Sequence, residues 1–259
     1  MGSNAVYDDE SHGFSYIALD GGMVTHFIEY QISGHVLNLE VAPTVFKPTS
    51  TSQFLAEQLD NLNDKIVLDL GCGVGPIAIA AALNGAGRVY AVDLMPEACE
   101  LARRNIKHNG VSNKVTVLQG NLFEPLKGIT FDIIVDDVSG MAEEVARLSS
   151  WYPNPIPTGG PDGTLPTVTM LVDSPSHLND GGCLFFPVLS LANSEKIMSV
   201  ARMVYGDNLQ LVSSRLIPFN KELQSHIELL QHLKEQNYIH FVQNRSRYLW
   251  NLEIYRANA

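Results

Sequence analysis

The stretch "VLDLGCGVGPIAIA", residues 67–80, decides the fold of this chain. An apolar run reaches Asp69, glycines occupy the alternate positions Gly71, Gly73 and Gly75, and small helix-forming residues follow. Glycine tolerates a positive φ and lets the backbone approach a ligand closely, while a helix N-terminus favours a negatively charged group. The stretch therefore predicts a strand, a ligand-binding turn and a helix. Such a turn suits the pyrophosphate of a dinucleotide and equally the carboxylate of an amino acid.

Strand and helix patterns alternate from residue 65 to the end of the chain. Apolar runs such as "RVYAVDL" (88–94) are followed by helical patterns such as "PEACELARRNIKHNG" (96–110). This alternation predicts an α/β fold with a Rossmann-like, seven-stranded, mostly parallel sheet. A helix is expected to end within 167–182, before a strand "CLFFPV", and another is expected over 221–236. Strand and turn signals before residue 47 predict a β-rich extension or lid, residues 1–48, ahead of a ligand-binding domain, residues 49–259.

The composition limits the possible functions. Of the 259 residues 45% are hydrophobic, yet no window of eighteen uncharged apolar residues occurs, which argues against a membrane span. The net charge is −11 and no basic run appears, which argues against a nucleic-acid partner because such binding neutralises phosphates. Cys72, Cys99 and Cys183 lie far apart, as expected for reduced thiols of a cytoplasmic protein without a metal or disulfide framework.

Two aspartates distinguish between the possible ligands of the turn. Asp69 lies inside a D-x-G-x-G-x-G spacing, where it would repel a pyrophosphate but could hold an ammonium group. Asp93 ends the next strand, about where a ribose diol would be bound. A ligand with an ammonium, a carboxylate and a ribose is S-adenosylmethionine. The alternative is that both acids only cap the ends of their strands.

With these elements in order, residues 45–190 resemble the class I S-adenosylmethionine-dependent methyltransferases. The resemblance implies that Asp69, Gly71 and Gly73 contact the methionine part of the cofactor. It also implies that Asp93 binds the ribose and that Leu94 lines the adenine. The further cofactor-binding candidates are Thr49, Cys72, Gly75, Asn121, Leu122 and Asp136. Most relatives have Asp where this chain has Asn121, whose amide oxygen can still accept a hydrogen bond from the adenine.

Two flanking segments, residues 45–59 and 159–185, resemble the branch of the release-factor glutamine methyltransferases. In that branch the fourth strand ends in N-P-P-Y, whose amide and backbone carbonyl accept hydrogen bonds from a planar NH2 group on which the ring stacks. Aligning "FDIIVDDVSG" (131–140) places Asp137 at the Asn position and Val138-Ser139-Gly140 at P-P-Y. The cofactor half of the pattern is therefore present and the clamp for a glutamine amide or an adenine amine is absent.

The altered clamp leads to an expected function and an expected base. We expect a methyltransferase of small-molecule biosynthesis that acts on an amine, a hydroxyl or a carboxylate. Alignment of the nucleophile contributes much of the rate of such an in-line displacement, and proton removal adds about 10²–10⁴-fold where it is needed. Asp137 is the candidate base, and Asp136 is the adjacent candidate on the opposite side of the strand. Alternatively, both are solvated acids at a strand end.

Aromatic residues supply further candidates. Trp151 and Tyr152 lie in a Pro- and Gly-rich segment, where they could replace the missing ring by attracting a cation or could anchor the loop to the core. Tyr152 is the third candidate catalytic residue. Four residues of the N-terminal segment could form a lid over the cofactor or a homodimer contact: Tyr7, Tyr16, His26 and Tyr30.

Two other functions keep the same cofactor. A cyclase or lyase would attack a different carbon of the sulfonium and release methylthioadenosine, for example with formation of azetidine-2-carboxylate. A non-catalytic module would only bind the cofactor. An acid near the ammonium group of the cofactor could serve as the base of a cyclase. The polar pair Asp136 and Asp137 after the fourth strand argues against a non-catalytic module.

Overall fold

A computed structural model describes residues 16–18, 24–150 and 152–259, with side chains from residue 24 onward. Strands and α-helices in this part are numbered in chain order. The strands are β1 (Tyr16–Ala18), β2 (Val24–Ile32), β3 (His35–Val41), β4 (Ile66–Leu70), β5 (Arg88–Asp93), β6 (Val115–Gln119), β7 (Phe131–Asp136), β8 (Leu178–Leu189), β9 (Leu209–Pro218), β10 (Val242–Asn244) and β11 (Arg247–Asn258). The helices are α1 (Ser50–Ala56), α2 (Pro76–Leu83), α3 (Pro96–His108), α4 (Glu143–Leu148), α5 (Leu165–Asp173), α6 (Ser194–Tyr205), α7 (Lys221–Ser225) and α8 (Ile227–Glu235).

The predicted mostly parallel sheet is confirmed. Its strand order is β6-β5-β4-β7-β8-β11-β9, and the short β10 also pairs with β11. Strands β4 to β8 pair in parallel, whereas β11 runs antiparallel to β8 and to β9. The chain leaves β4 toward β5 and later returns to its other side with β7, so the strand order reverses at β4. Ligands of such sheets bind beyond the carboxyl ends of the strands at this reversal.

Several element boundaries differ from the sequence expectation. The segment 178–182 belongs to β8, because α5 ends at Asp173 and a 3-10 turn with Pro175 follows; proline lacks the N–H that would continue the helix. The helix expected over 221–236 is divided at His226, whose φ of −113° is not helical. Helix α4 and strand β10 are short and were not expected.

The small antiparallel sheet β1–β3 covers helix α2. Seven of the eight residues of α2 are buried, and a helix that is apolar on all sides must be covered on all sides. Leu37 and Leu39 of β3 belong to the same core cluster as Ala78 and Ala81 of α2. The N-terminal sheet thus completes the core over the helix that follows the glycine turn, while the domain division at residues 48 and 49 stays a prediction.

Asn105 of α3 ties the N-terminal sheet to the glycine turn. Its fully buried amide donates to the carbonyls of Glu40 in β3, at 2.9 Å, and Val74 in the turn, at 3.0 Å. Its oxygen accepts from the backbone N–H of Glu40 at 2.7 Å. One side chain therefore satisfies backbone groups of both segments. No helix in the described part of the chain is long and apolar enough to cross a bilayer.

Candidate active site

The glycine turn lies at the carboxyl end of β4. Gly71 and Gly73 have φ values of +74° and +52°. A Cβ added to Gly71 would lie 2.9 Å from the backbone of Asp137 and Val138, whereas one added to Gly73 would meet no atom within 4 Å. Gly71 is therefore required by the packing of β4 against β7, and Gly73 faces open space.

That open space belongs to a cavity of about 710 Å³, within the usual size range of small-molecule sites. Ten of the residues singled out from the sequence line it: Thr49, Gly71, Cys72, Gly73, Asp93, Leu94, Asn121, Leu122, Asp137 and Tyr152. The other three lie behind its wall: Asp69, Gly75 and Asp136. The residues of the turn, of the second strand end and of the fourth strand end are thus brought together.

Asp69 and Asp93 both hold the turn in place. Asp69 is fully buried, and its Oδ2 accepts from the backbone N–H of Ala78, at 3.0 Å, near the start of α2. Asp93 accepts from the N–H groups of Gly73 and Met95, each at 2.8 Å. Burial raises the pKa of both carboxyl groups. Each carboxylate oxygen keeps a lone pair for a ligand, so capping and cofactor binding are compatible roles.

Of the two adjacent acids, only Asp137 lines the cavity, and Asp136 does not. The backbone N–H of Asp137 donates to Leu70 at 2.8 Å, and its Oδ2 accepts from the hydroxyl of Ser52 at 2.6 Å. Burial raises the pKa of Asp137 to about 7, opposed by the hydrogen bond from Ser52. Asp136 is fully buried, and its Oδ1 accepts from Val138 at 3.3 Å. Asp137 is therefore the acid that a substrate in the cavity would meet.

Gly140 stands at the position of the tyrosine in N-P-P-Y and lies close to Thr167. A Cβ added to Gly140 would lie 2.9 Å from the hydroxyl of Thr167, so the side chain of Thr167 would have to shift to admit a tyrosine. Tyr152 lines the same cavity and packs edge-on against Phe46, with 4.7 Å between the ring centroids. Its hydroxyl hydrogen-bonds to Ser139 and donates to the carbonyl of Pro157 at 2.8 Å. These bonds favour an anchoring role, although both roles of Tyr152 stay predictions. Trp151 lies outside the described residues.

Substitutions at Tyr152 would separate the two roles. If the hydroxyl only anchors the loop, Tyr152→Phe lowers the free energy of unfolding by about 1–3 kcal/mol, because buried partners lose their bond. The same variant keeps kcat within about threefold. Tyr205→Phe, which removes a hydroxyl bonded to Ser174 at 2.6 Å away from the cavity, is the matched control. Denaturant titration and steady-state rates are the measurements. A loss of kcat of about 10²–10⁴-fold at unchanged stability would instead make the hydroxyl a proton carrier.

The N-terminal residues expected to form a lid do not line the cavity where their side chains are described. Neither His26 nor Tyr30 lines it. Tyr30 packs against the main core cluster and donates its hydroxyl to the carbonyl of Thr49 at 2.6 Å. Tyr7 lies outside the described residues, and only the backbone of Tyr16, in β1, is described.

Sequence reasoning missed part of the cavity wall. Five residues of the C-terminal elements also line it: Ile217, Pro218, Asn220, Leu223 and Trp250. Ser52 also lines it, but the sequence "TSTS" around it indicated only helix capping. Trp250 begins an alternating strand pattern, and nothing local distinguishes it from a core residue.

Known proteins resemble this chain in sequence. Residues 47–154 match the family model described as ribosomal protein L11 methyltransferase (PrmA). A protein named as an N5-glutamine methyltransferase in Methanocaldococcus jannaschii is 28% identical over 71% of this chain and 92% of its own length. A release factor glutamine methyltransferase of Rhodopirellula baltica is 29% identical over 82% of this chain and 73% of its own length.

Among solved structures, the 16S rRNA N2 G1207 methyltransferase of T. thermophilus, in complex with AdoMet and guanosine, superimposes with a TM-score of 0.58. It is 16% identical, and the match covers 95% of this chain and 58% of that one. At this identity the likeness concerns the fold alone. The enzyme class is therefore supported by the glycine turn and by the sequence relatives.

The family match over residues 47–154 and the glutamine methyltransferase relatives support a class I S-adenosylmethionine-dependent methyltransferase. The predicted cofactor of the methyltransferase, S-adenosylmethionine, is confirmed with the family. The open space at Gly73 and the carboxylate of Asp93 fit a ligand with an amino-acid end and a ribose.

The expected small-molecule acceptor is wrong. The relatives that share the cofactor half are named for protein substrates, the release factor and ribosomal protein L11. The exclusion of nucleic acid from net charge is also wrong, because proteins of this fold are named for tRNA and rRNA. The overall charge of a chain averages over its surface and does not describe one docking face. The relatives support neither a cofactor cyclase or lyase nor a non-catalytic module.

Proposed function

We propose that this methyltransferase methylates an amino group of a protein. The observation that carries the proposal is the carboxylate of Asp137, which stands at the clamp position and opens into the same cavity as the glycine turn. The protein substrate is supported by the names of the sequence relatives. The amino group is supported by the chemistry of the wall itself.

A planar carboxamide would find little of the usual clamp here. Asp137 replaces the amide, and Gly140, which lies close to Thr167, carries no stacking ring. An amine has different needs, because its ammonium form must lose a proton before the nitrogen can attack. A carboxylate with a pKa of about 7 can accept that proton near neutral pH.

The roles of the remaining residues follow from their positions. S-adenosylmethionine supplies an electrophilic methyl group on a sulfonium. Gly71 and Gly73 let the backbone approach its amino-acid end, and Asp93 offers oxygen acceptors to the ribose hydroxyls. Asp137 orients the amine and takes its proton. The apolar wall formed by Ile217, Leu223 and Trp250 excludes water from the acceptor side.

The test is a transfer assay with methyl-labelled S-adenosylmethionine. Purified release factor, ribosomal protein L11, a cellular protein fraction and total RNA serve as acceptors. We expect label in protein, and we expect it to survive acid hydrolysis as a methylated amine. Acid cleaves an N-methylated glutamine amide and releases methylamine, so label in that volatile fraction would contradict the amine acceptor. Label confined to RNA would contradict the protein acceptor.

A further inference from the structure

We propose that Ser52 is a positioning residue that fixes the carboxylate of Asp137 toward the acceptor, and that the N-terminal sheet holds Ser52 in place through Tyr30. The inference rests on the proposed function, in which Asp137 faces the acceptor. It concerns a contact between three segments that are distant in sequence.

The contact begins in the N-terminal sheet. The hydroxyl of Tyr30 in β2 donates to the carbonyl of Thr49, the residue that precedes α1, at 2.6 Å. This bond fixes the start of a helix of only seven residues, which would be marginal by itself. Ser52 lies in the first turn of that helix and is 4% exposed.

Ser52 reaches the end of β7, 85 positions further along the chain. Its hydroxyl donates to Oδ2 of Asp137 at 2.6 Å, a short distance typical of bonds to ionised acceptors. The bond occupies one carboxylate oxygen and leaves Oδ1 for the acceptor. A carboxylate at a strand end can otherwise rotate, and misplacement of a reacting group lowers the rate strongly.

The other ionisable groups around Asp137 do not supply a positive charge. Asp137 acts electrostatically on Tyr30 from β2, on Asp69 from β4 and on Asp136 of its own strand. Burial raises the pKa of Asp137, and the bond from Ser52 is the contribution that lowers it. Removal of the hydroxyl must therefore raise the pKa further, because a hydrogen bond to the charged form is lost.

The direct experiment measures this titration without any acceptor. In protein with ¹³Cγ-labelled aspartate, the resonance of Asp137 is assigned by its absence from Asp137→Asn. We expect Ser52→Ala to raise the titration midpoint of Asp137 by about one to two pH units. Ser52→Thr keeps a hydroxyl and should stay near the wild type. Ser149→Ala, which removes another buried serine bonded to a carbonyl at 3.0 Å, is the matched control.

The kinetic experiment connects the contact to the reaction. In Ser52→Ala the acid limb of kcat/KM should move upward by the same amount, while the affinity for S-adenosylmethionine changes less than about threefold. An unchanged midpoint of Asp137 in a folded Ser52→Ala would overturn the proposal. If that variant does not fold, Ser52→Cys keeps a small side chain, slightly larger than serine, with a weaker donor, and an unchanged midpoint there would overturn it equally. If the Asp137 midpoint shifts in Ser52→Ala but the wild-type protein methylates no amine, the role of Ser52 is supported and the proposed function is contradicted.

Discussion

Asp137→Asn should lower kcat by about 10²–10⁴-fold, because the variant loses a proton acceptor without losing volume. It should also remove the acid limb of kcat/KM, which in the wild type is expected near pH 7 because burial raises the pKa of Asp137 to about 7. The activity depends on the charged carboxylate, so the wild-type rate rises as the pH increases through this value. Rates over pH 5.5 to 9 and cofactor affinity by calorimetry are the measurements.

The matched control is Asp162→Asn. Asp162 bonds Thr164 and Lys196 and does not line the cavity, so this variant should keep both the rate and the pH profile. Asp137→Asn also restores the residue that the glutamine methyltransferases have at this position. If it kept the wild-type rate and acid limb, Asp137 would not be the base.

Gly73→Ala should weaken the binding of S-adenosylmethionine by about 10–100-fold, because a methyl group would enter space that the cofactor needs. The added Cβ meets no protein atom within 4 Å. The free energy of unfolding should therefore fall only by the strain of a side chain at a φ of +52°, about 1–2 kcal/mol. Calorimetric titration with the cofactor and denaturant unfolding are the measurements.

Gly110→Ala separates the two effects. Gly110 follows α3, has a φ of +73° and also has no neighbour within 4 Å of an added Cβ, but it does not line the cavity. Both variants should lose similar stability, and only Gly73→Ala should lose affinity. Equal affinity in the two variants would mean that the turn does not touch the cofactor. Gly71→Ala is a third case, because its Cβ would meet backbone atoms at 2.9 Å and should destabilise the fold itself.

The fold and the cofactor half were predictable because their signals are local. The D-x-G-x-G-x-G spacing requires one strand, one turn with positive φ and one helix start, and all of them depend on residues close in sequence. The strand ends at Asp93 and Asp137 then follow from the alternation of strands and helices, since parallel strands end at the same edge of a sheet. The burial of helix α2 was predictable as well, because a helix with a uniformly apolar sequence must be packed on all sides.

The acceptor side was less predictable because it depends on distant contacts. The bond between Ser52 and Asp137 joins positions 85 apart, and no periodicity signals it. The crowding between position 140 and Thr167 is a tertiary effect of the start of α5. The wrong expectation of a small-molecule acceptor came from the altered clamp, and the wrong exclusion of nucleic acid came from treating net charge as a description of one binding face.

The imbalance of charge around the cavity has a consequence for turnover. Asp93 and Asp137 line it, and Lys47 is the single basic side chain lining it within the described chain. Such a surface attracts a cation, and the fresh donor carries its positive sulfonium where the spent thioether is neutral. We therefore expect the preference for the fresh donor over the spent form to be larger above pH 7, where Asp137 is ionised, so that replacement of the spent form after each cycle is favoured by one charge.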